Sequence, residues 1–266
     1  MAVLLVIPAR YASSRFPGKP LAPLRGAGGV AKSLIRRTWE AAQATSGIDR
    51  VVVATDDDRV AEAARGFGAE VVMTPASCRN GTERCAAAAE ALGPRWEVVV
   101  NLQGDAPLTP PWFLEALVAA LAADPACDMA TPVLRCDAAA LEGFREDRRR
   151  ARVGGTTAVF DRSGRALYFS KEVIPFVGES PPADAAIPVF HHVGAYAYRR
   201  EALLRYLSWV EGPLEAAEGL EQLRFLENGV AVRCVEVEAR GRAFWEVNNP
   251  ADIARVEAML AAGGIA

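Results

Sequence analysis

The sequence predicts a three-layer α/β domain: a mainly parallel sheet covered by helices on both faces, carrying an inserted antiparallel lobe. Two observations carry this expectation. In the first half, short apolar runs at residues 3–7, 51–54, 70–74 and 98–100 alternate with helical stretches. That is the pattern of βαβ units whose strands are buried on both faces. In the second half, the strand-like runs at 129–133, 156–160, 166–170 and 193–198 are short, and Asp161-Arg162-Ser163-Gly164 forms a turn between two of them. We expect one domain over residues 1–266, with the lobe at about 128–212.

The remaining elements follow in order. Helices are expected over 31–45, 58–67, 82–92 and 111–123, the last opening on Pro111, which suits a first turn. Asp56-Asp57-Asp58 contains the DxD pattern of metal-dependent glycosyltransferases, but it sits where a helix cap is needed and is read as one. Asn80 and Glu83 fit a capping box. A Pro-rich stretch at 175–188 reads as a surface loop or flap. A long helix around 214–227, a strand at 230–237 and a terminal helix at 250–260 complete the chain. The fragment Gly26-Ala27-Gly28-Gly29-Val30-Ala31 fits GxGxxA but lies about twenty residues past the first strand, so it is read as a turn and not as a dinucleotide site. Arg148-Arg149-Arg150 reads as a solvated helix end.

Composition excludes several classes of function. At 51% hydrophobic and 24% charged, the 266-residue chain is globular, and its formal charge of -3 argues against wholesale binding of nucleic acid. The apolar run at 3–7 is too short for a signal peptide or a membrane span, so none is expected. Five cysteines without a CxxC pair, and two adjacent histidines, give no zinc-site pattern and suggest reduced thiols in a cytoplasm. Only three of the 30 basic residues are lysines: Lys19, Lys32 and Lys171.

In an open parallel sheet, ligands bind beyond the carboxyl ends of the strands. After the first strand come Arg10, Ser13, Ser14, Arg15, Gly18 and Lys19. Cations, hydroxyls and a glycine at a strand end suit a polyphosphate, whose transfer needs fixed positive charge. An exposed charged turn is the plain alternative. The loop is not a Walker A motif, because Ser13 stands where the first glycine belongs and Pro20 replaces Ser/Thr. After the fourth strand, Asp105 in Asn101-Leu102-Gln103-Gly104-Asp105 is placed to hold Mg2+ beside phosphates, or simply to make a turn.

The run Val6-Ile7-Pro8-Ala9-Arg10-Tyr11-Ala12-Ser13-Ser14-Arg15-Phe16-Pro17-Gly18-Lys19-Pro20-Leu21 resembles the opening signature of the CMP-Kdo synthetase (3-deoxy-manno-octulosonate cytidylyltransferase) family. Val53-Ala54-Thr55-Asp56, Gly81-Thr82-Glu83-Arg84, Asn101-Leu102-Gln103-Gly104-Asp105, Ala166-Leu167-Tyr168-Phe169-Ser170, His192-Val193-Gly194-Ala195-Tyr196 and Leu220-Glu221-Gln222-Leu223-Arg224 resemble its motifs in order. The resemblance implies a Mg2+-dependent homodimer of nucleotide-diphospho-sugar transferase-like fold. In it, the anomeric hydroxyl of an acidic 2-keto sugar attacks the α-phosphorus of CTP, feeding a cell-envelope glycan such as lipopolysaccharide. It implies catalytic roles for Arg10, Lys19 and Asp105. CTP would be bound by Ala9, Arg10, Ser14, Arg15, Lys19, Arg79, Gly81, Thr82 and Gln103. Lys171, His192, Tyr196, Glu221 and Gln222 would bind the sugar acid, and Asp105 with Asn248 the metal. Without the resemblance, Glu221 and Gln222 read as the solvated face of a helix.

Four positions depart from the family pattern. Val247-Asn248-Asn249-Pro250 replaces Val-Asp-Thr-Pro, so an amide stands where the second metal carboxylate belongs. Ala106 replaces a glutamate, Lys171 an arginine after Tyr-Phe-Ser, and Thr157 a lysine. A cytidylyltransferase for a different acidic sugar, or a non-catalytic nucleotide-binding paralogue, are the alternatives these departures leave open.

Overall fold

The apolar run at the start of the chain becomes a central strand of a mixed ten-stranded sheet. The computed structural model describes residues 1–13, 15–153, 155–178, 186–242 and 244–266. In chain order the strands are β1 (Val3–Pro8), β2 (Pro23–Arg25), β3 (Ala31–Ser33), β4 (Arg50–Thr55), β5 (Glu70–Met73), β6 (Val98–Leu102), β7 (Met129–Arg135), β8 (Thr156–Phe160), β9 (Ala166–Ser170), β10 (Phe190–His192), β11 (Ala195–Arg199) and β12 (Val232–Glu236). The helices are α1 (Leu34–Gln43), α2 (Asp58–Gly66), α3 (Gly81–Ala91), α4 (Pro111–Ala123), α5 (Ala138–Arg149), α6 (Arg200–Tyr206), α7 (Pro213–Glu218), α8 (Leu223–Glu227) and α9 (Asp252–Ala262).

The main sheet runs β5-β4-β1-β6-β11-β7-β10-β8-β9, and β12 pairs with β7. The β5-β4-β1-β6 half is parallel. From β11 onward the path is antiparallel, and β12 lies parallel to β7. The second-half strands therefore extend the same sheet instead of forming one of their own. β11 joins the halves by pairing residue for residue with β6, Ala195 opposite Leu102 through Arg199 opposite Val98. This pairing satisfies the backbone of a strand whose every residue is buried.

β1 shows why its apolar run is unbroken. Leu4 and Val6 enter one core with Cys85 and Ala86 of α3 and Leu203 of α6. Val3, Leu5 and Ile7 enter the other, with Ile35 of α1, Val60 of α2 and Phe113 of α4. Alternate side chains leave a strand on opposite faces, so a sheet with a core on each side needs apolar residues at both parities.

Several sequence expectations shift. Residues 31–33 are not the start of a helix, because they pair with residues 23–25 as a small hairpin, Leu24 opposite Lys32, and α1 begins at Leu34. Residues 26–30 of the Gly-rich fragment are the turn of that hairpin, and Ala31 is the first residue of β3. The long helix expected over 214–227 is two short ones, since α7 stops at Gly219, whose φ of 61° suits a residue without a side chain. The strand expected at 193–198 begins two residues later as β11, and a short strand that was not expected, β10, precedes it, with Val193 and Gly194 between the two. The helix α5 ends in Arg148 and Arg149; Arg149 and the following Arg150 pair with Glu142 and Glu146 on its own surface, whereas Arg148 donates to the Arg152 carbonyl. Part of the Pro-rich loop, 179–185, lies outside the described residues. Among the described residues no helix is long and apolar enough to cross a membrane.

Candidate active site

A cavity of about 630 Å³ opens at the carboxyl ends of β1 and β6. It is walled on the far side by the β10–β11 junction, the turn at 219–222 and the extended segment 244–249. Ala9, Arg10, Arg15, Lys19, Arg79, Gly81, Gln103, Asp105, Lys171, His192, Tyr196, Glu221, Gln222 and Asn248 all line it. Thr82 lies just behind the wall, fully buried. Ser14 lies outside the described residues.

The cation loop folds back onto its own strand. The Gly18 N–H donates to the Tyr11 carbonyl at 2.9 Å, and Gly18 takes φ 71° against the Tyr11 ring, where a side chain would crowd at 3.1 Å. This return delivers Lys19 to the end of β6, where its Nζ meets Asp105 Oδ2 at 2.5 Å. Arg10 and Arg15 line the same end from exposed positions. Gly104 lets the two strand ends meet, since a Cβ there would stand 2.7 Å from the Pro8 carbonyl.

The next wall is built on the start of α3. Asn80 caps that helix, its Oδ1 accepting from the Glu83 N–H at 2.8 Å. Glu83 does not reach back to Asn80 as a full capping box would. Its Oε2 accepts from the Arg79 N–H at 2.8 Å, and its Oε1 holds the Arg79 guanidinium. Asp57 likewise caps α2, accepting from the Arg59 N–H at 3.0 Å, so the aspartate triplet is a cap. Glu221 reaches across from the turn after α7. One oxygen accepts from the Thr82 N–H at 3.0 Å and the other from Gln103 Nε2 at 3.0 Å. Burial pushes its carboxyl above the usual carboxylate range.

The opposite wall is aromatic and neutral. Thr131 Oγ1 donates to the Ala195 carbonyl at 2.9 Å, so it accepts from His192 Nε2, also at 2.9 Å, which places the ring proton on Nε2. Burial, with the neighbouring His191, pushes His192 down to about 3, and burial pushes His191 down to about 4. Both rings are therefore uncharged near neutrality. Tyr196 donates to Gln222 Oε1 at 3.2 Å, leaving the buried Gln222 Nε2 as an unpartnered donor. Lys171 Nζ lies over Gly219, 3.0 Å from where a Cβ would project, and the Lys171 N–H donates to Glu218 at 2.9 Å. Thr157 is buried, and its hydroxyl donates to the Glu172 carbonyl at 2.6 Å.

Two charged lining residues were not among the site residues expected from the sequence. Arg84 is buried between Thr74 Oγ1 at 2.6 Å and Asp56 at 3.4 Å. Glu246 presents a carboxylate beside the Gly194 N–H and the Asn248 side chain, both of which favour its charged form. Burial, then the charge of Asp105, pushes Glu246 up to about 7. The only hint in the sequence was its place two residues before Asn248, since alternate residues of an extended segment share a side. Asn248 does not cap α9. Its N–H and that of Asn249 donate to Asp252 Oδ2 at 2.9 and 2.7 Å, while α9 starts at Asp252. Among the described residues no three His, Cys, Asp or Glu side chains are clustered to hold a metal by themselves. Asp105, Glu246 and Asn248 nevertheless bring only oxygen acceptors of the hard kind that Mg2+ takes when phosphates complete its shell.

Comparison with known proteins agrees with this geometry. A family model described as cytidylyltransferase matches residues 4–236. The 3-deoxy-manno-octulosonate cytidylyltransferase of Maricaulis maris is 46% identical over 264 residues, 99% of this chain and 99% of that protein. That of Chlamydia pneumoniae is 44% identical over 95% of this chain and 91% of the relative. A solved structure of CMP:2-keto-3-deoxy-manno-octonic acid synthetase complexed with CTP is similar with a TM-score of 0.83 and 35% identity, covering 99% of this chain and 100% of that one.

Proposed function

The chain belongs to the cytidylyltransferase family, and we propose that it transfers CMP from CTP to the anomeric hydroxyl of 3-deoxy-manno-octulosonate or a close 2-keto sugar acid. The observation that carries this reading is the division of one cavity into two unlike ends. Arg10, Arg15, Lys19 and Asp105 make an ionic end, while His192, Tyr196 and Gln222 make a neutral, hydrogen-bonding one. Relatives at 44–46% identity bear that activity in their names.

In this reading Arg10, Arg15 and Lys19 hold the triphosphate and stabilise the charge on the departing pyrophosphate. The backbone at Gly81 and Thr82, with Arg79 and Gln103, frames the cytosine. Gln222 Nε2, Tyr196 and neutral His192 orient sugar hydroxyls, and Lys171 faces the sugar carboxylate. The hydroxyl oxygen bonds to the α-phosphorus as the bond to the β-phosphate oxygen breaks, and the hydroxyl proton leaves to solvent. Mg2+, held by Asp105 and its neighbours on segment 246–248, would neutralise charge at the phosphates.

Val153, Leu167, Phe176, Leu207 and Val210 expose large apolar side chains within 128–212, which supports a homodimer through this lobe. The five free cysteines, four of them buried, support a cytoplasmic setting. Lys171 favours one second reading, a different acidic sugar, because an ammonium cannot make the two-pronged carboxylate contact of the arginine it replaces. Pyrophosphate release from CTP with a panel of sugar acids tests all of this. Release with 3-deoxy-manno-octulosonate supports the first reading, release only with another acid the second, and none with any acid leaves a nucleotide-binding protein without turnover.

A further inference from the structure

We propose that Glu246 supplies the second carboxylate to the divalent cation, the charge that Asn248 lacks, and that Asn248 positions Glu246 instead of replacing an aspartate. The inference rests on the reading of the cavity as a CTP site served by a metal.

The backbone places Glu246 there. The Val247 N–H donates to the main-chain carbonyl of Asp105 at 2.9 Å, so the extended segment runs directly beside that aspartate. The Val247 side chain is fully buried in a small core with Leu24, Leu34, Leu108, Val256 and Leu260. Val247 turns into that core, while Glu246 and Asn248 on either side of it line the cavity. Gly194 leaves room for the carboxylate, since a Cβ at that position would stand 2.7 Å from Glu246 Oε1. The Gly194 N–H and the Asn248 side chain lie beside the carboxylate and favour its charged form.

Charge gives the arrangement its use. Asp105 and Glu246 feel each other's charge and share one cation, Lys19, whose Nζ sits on Asp105. When a triphosphate draws Lys19 away, two carboxylates remain close together without a counter-charge. Mg2+ binds through one or two carboxylates plus phosphate oxygens and water, so the pair and the nucleotide together make the shell that neither makes alone.

Mn2+ serves as a spectroscopic probe in place of Mg2+. Its binding is followed by electron paramagnetic resonance with CTP present and sugar acid absent, so no transfer occurs, and CTP affinity is measured separately without metal. Glu246→Gln should weaken Mn2+ binding roughly 10-fold or more, the scale on which metal sites respond to lost support. Metal-free CTP affinity should hold or rise. Glu246→Gln combined with Asn248→Asp should recover most of the loss, because a carboxylate then stands two residues along the same side. Gly194→Ala, which changes no charge but displaces the carboxylate, should also weaken Mn2+. Unchanged Mn2+ affinity in Glu246→Gln, or a double variant as weak as the single one, overturns the assignment. A parent protein that binds CTP but no Mn2+ beside it removes the metal reading and this inference together. One that binds no CTP removes the nucleotide reading as well.

Discussion

Gln103 Nε2 donates to Glu221 Oε1 at 3.0 Å, tying the loop after β6 to the turn after α7. Glu221 Oε1 accepts here, so this bond sets which way the Gln103 amide faces and leaves its Oε1 as the free acceptor. The second oxygen of Glu221 accepts from the Thr82 N–H at the start of α3. Glu221 thus links the two segments expected to frame the base, besides lining the cavity itself.

Base selection should follow from that bond. Cytosine offers an amino donor where uracil offers an acceptor, so a Gln103 held with Oε1 free favours CTP. The protein should prefer CTP over UTP, ATP and GTP. Glu221→Ala should lower kcat/KM for CTP by about 10-fold or more and narrow the CTP-to-UTP ratio, because buried polar groups left unpaired are what reject a mismatched ligand. Gly81→Ala should act similarly with Glu221 intact, as its Cβ would stand 2.6 Å from Gln103 Nε2. Competition between the nucleotides in pyrophosphate release checks both variants, and an unchanged CTP-to-UTP ratio in both would detach Gln103 from base choice.

Lys19 should matter for rate and little for stability. Its bridge to Asp105 is partly exposed, with side chains 16% and 22% accessible. Lys19→Ala should cost roughly 100-fold in kcat, the scale of one lost transition-state donor, while the melting temperature moves little. Steady-state kinetics and thermal unfolding on the same preparation decide. Full turnover would return the loop to an ordinary charged turn.

Buried His192 and half-buried His191 predict acid sensitivity. His192 sits at about 3 and His191 at about 4 in the folded chain, against 6.5 as the ordinary value. Below 6.5 the unfolded chain therefore binds more protons than the folded one. Stability is complete above that pH and is lost as pH falls toward 4 and 3. Well below 6.5 each ring should contribute a slope of about 1.4 kcal/mol per pH unit. Urea unfolding at pH 6 and pH 5, where ordinary carboxylates stay ionised, should show the loss, and His192→Asn should remove about half of it. An identical slope in the variant would show that His192 is not the titrating group.

Arg224 and Glu215 form a buried pair, with contacts of 2.5 and 2.7 Å. Glu215→Ala strands the arginine, with Glu83 at 3.5 Å as partial compensation. Chemical denaturation should show a loss of about 3 kcal/mol, the lower end of what breaking a buried pair costs. A loss below half of that would mean that Glu83 alone satisfies the guanidinium.

Much of this was legible in one dimension. Burial on both faces of β1 required apolar residues at both parities, and those are visible as an unbroken run. The cations at Arg10, Arg15 and Lys19 follow that strand and fall within ten residues of one another, so bringing them together needs no long-range folding. The caps at Asp57 and Asn80 are local as well, made to N–H groups two and three residues away. Periodicity misjudged the Glu221 and Gln222 face because it continued a helix through Gly219. The chain breaks there, and the turn swings both side chains inward.

The sequence by itself determined the four strands and the helices between them in the first half, and the cation loop, because each depends on residues close together in the chain. Only the tertiary structure decided what stands opposite that loop. Glu246 lies beside Asp105 through the Val247 N–H and the Asp105 carbonyl, and Glu221 meets Gln103 across 118 positions. Such contacts depend on the register of distant segments, which is set by how their apolar neighbours pack, and no local pattern carries that information.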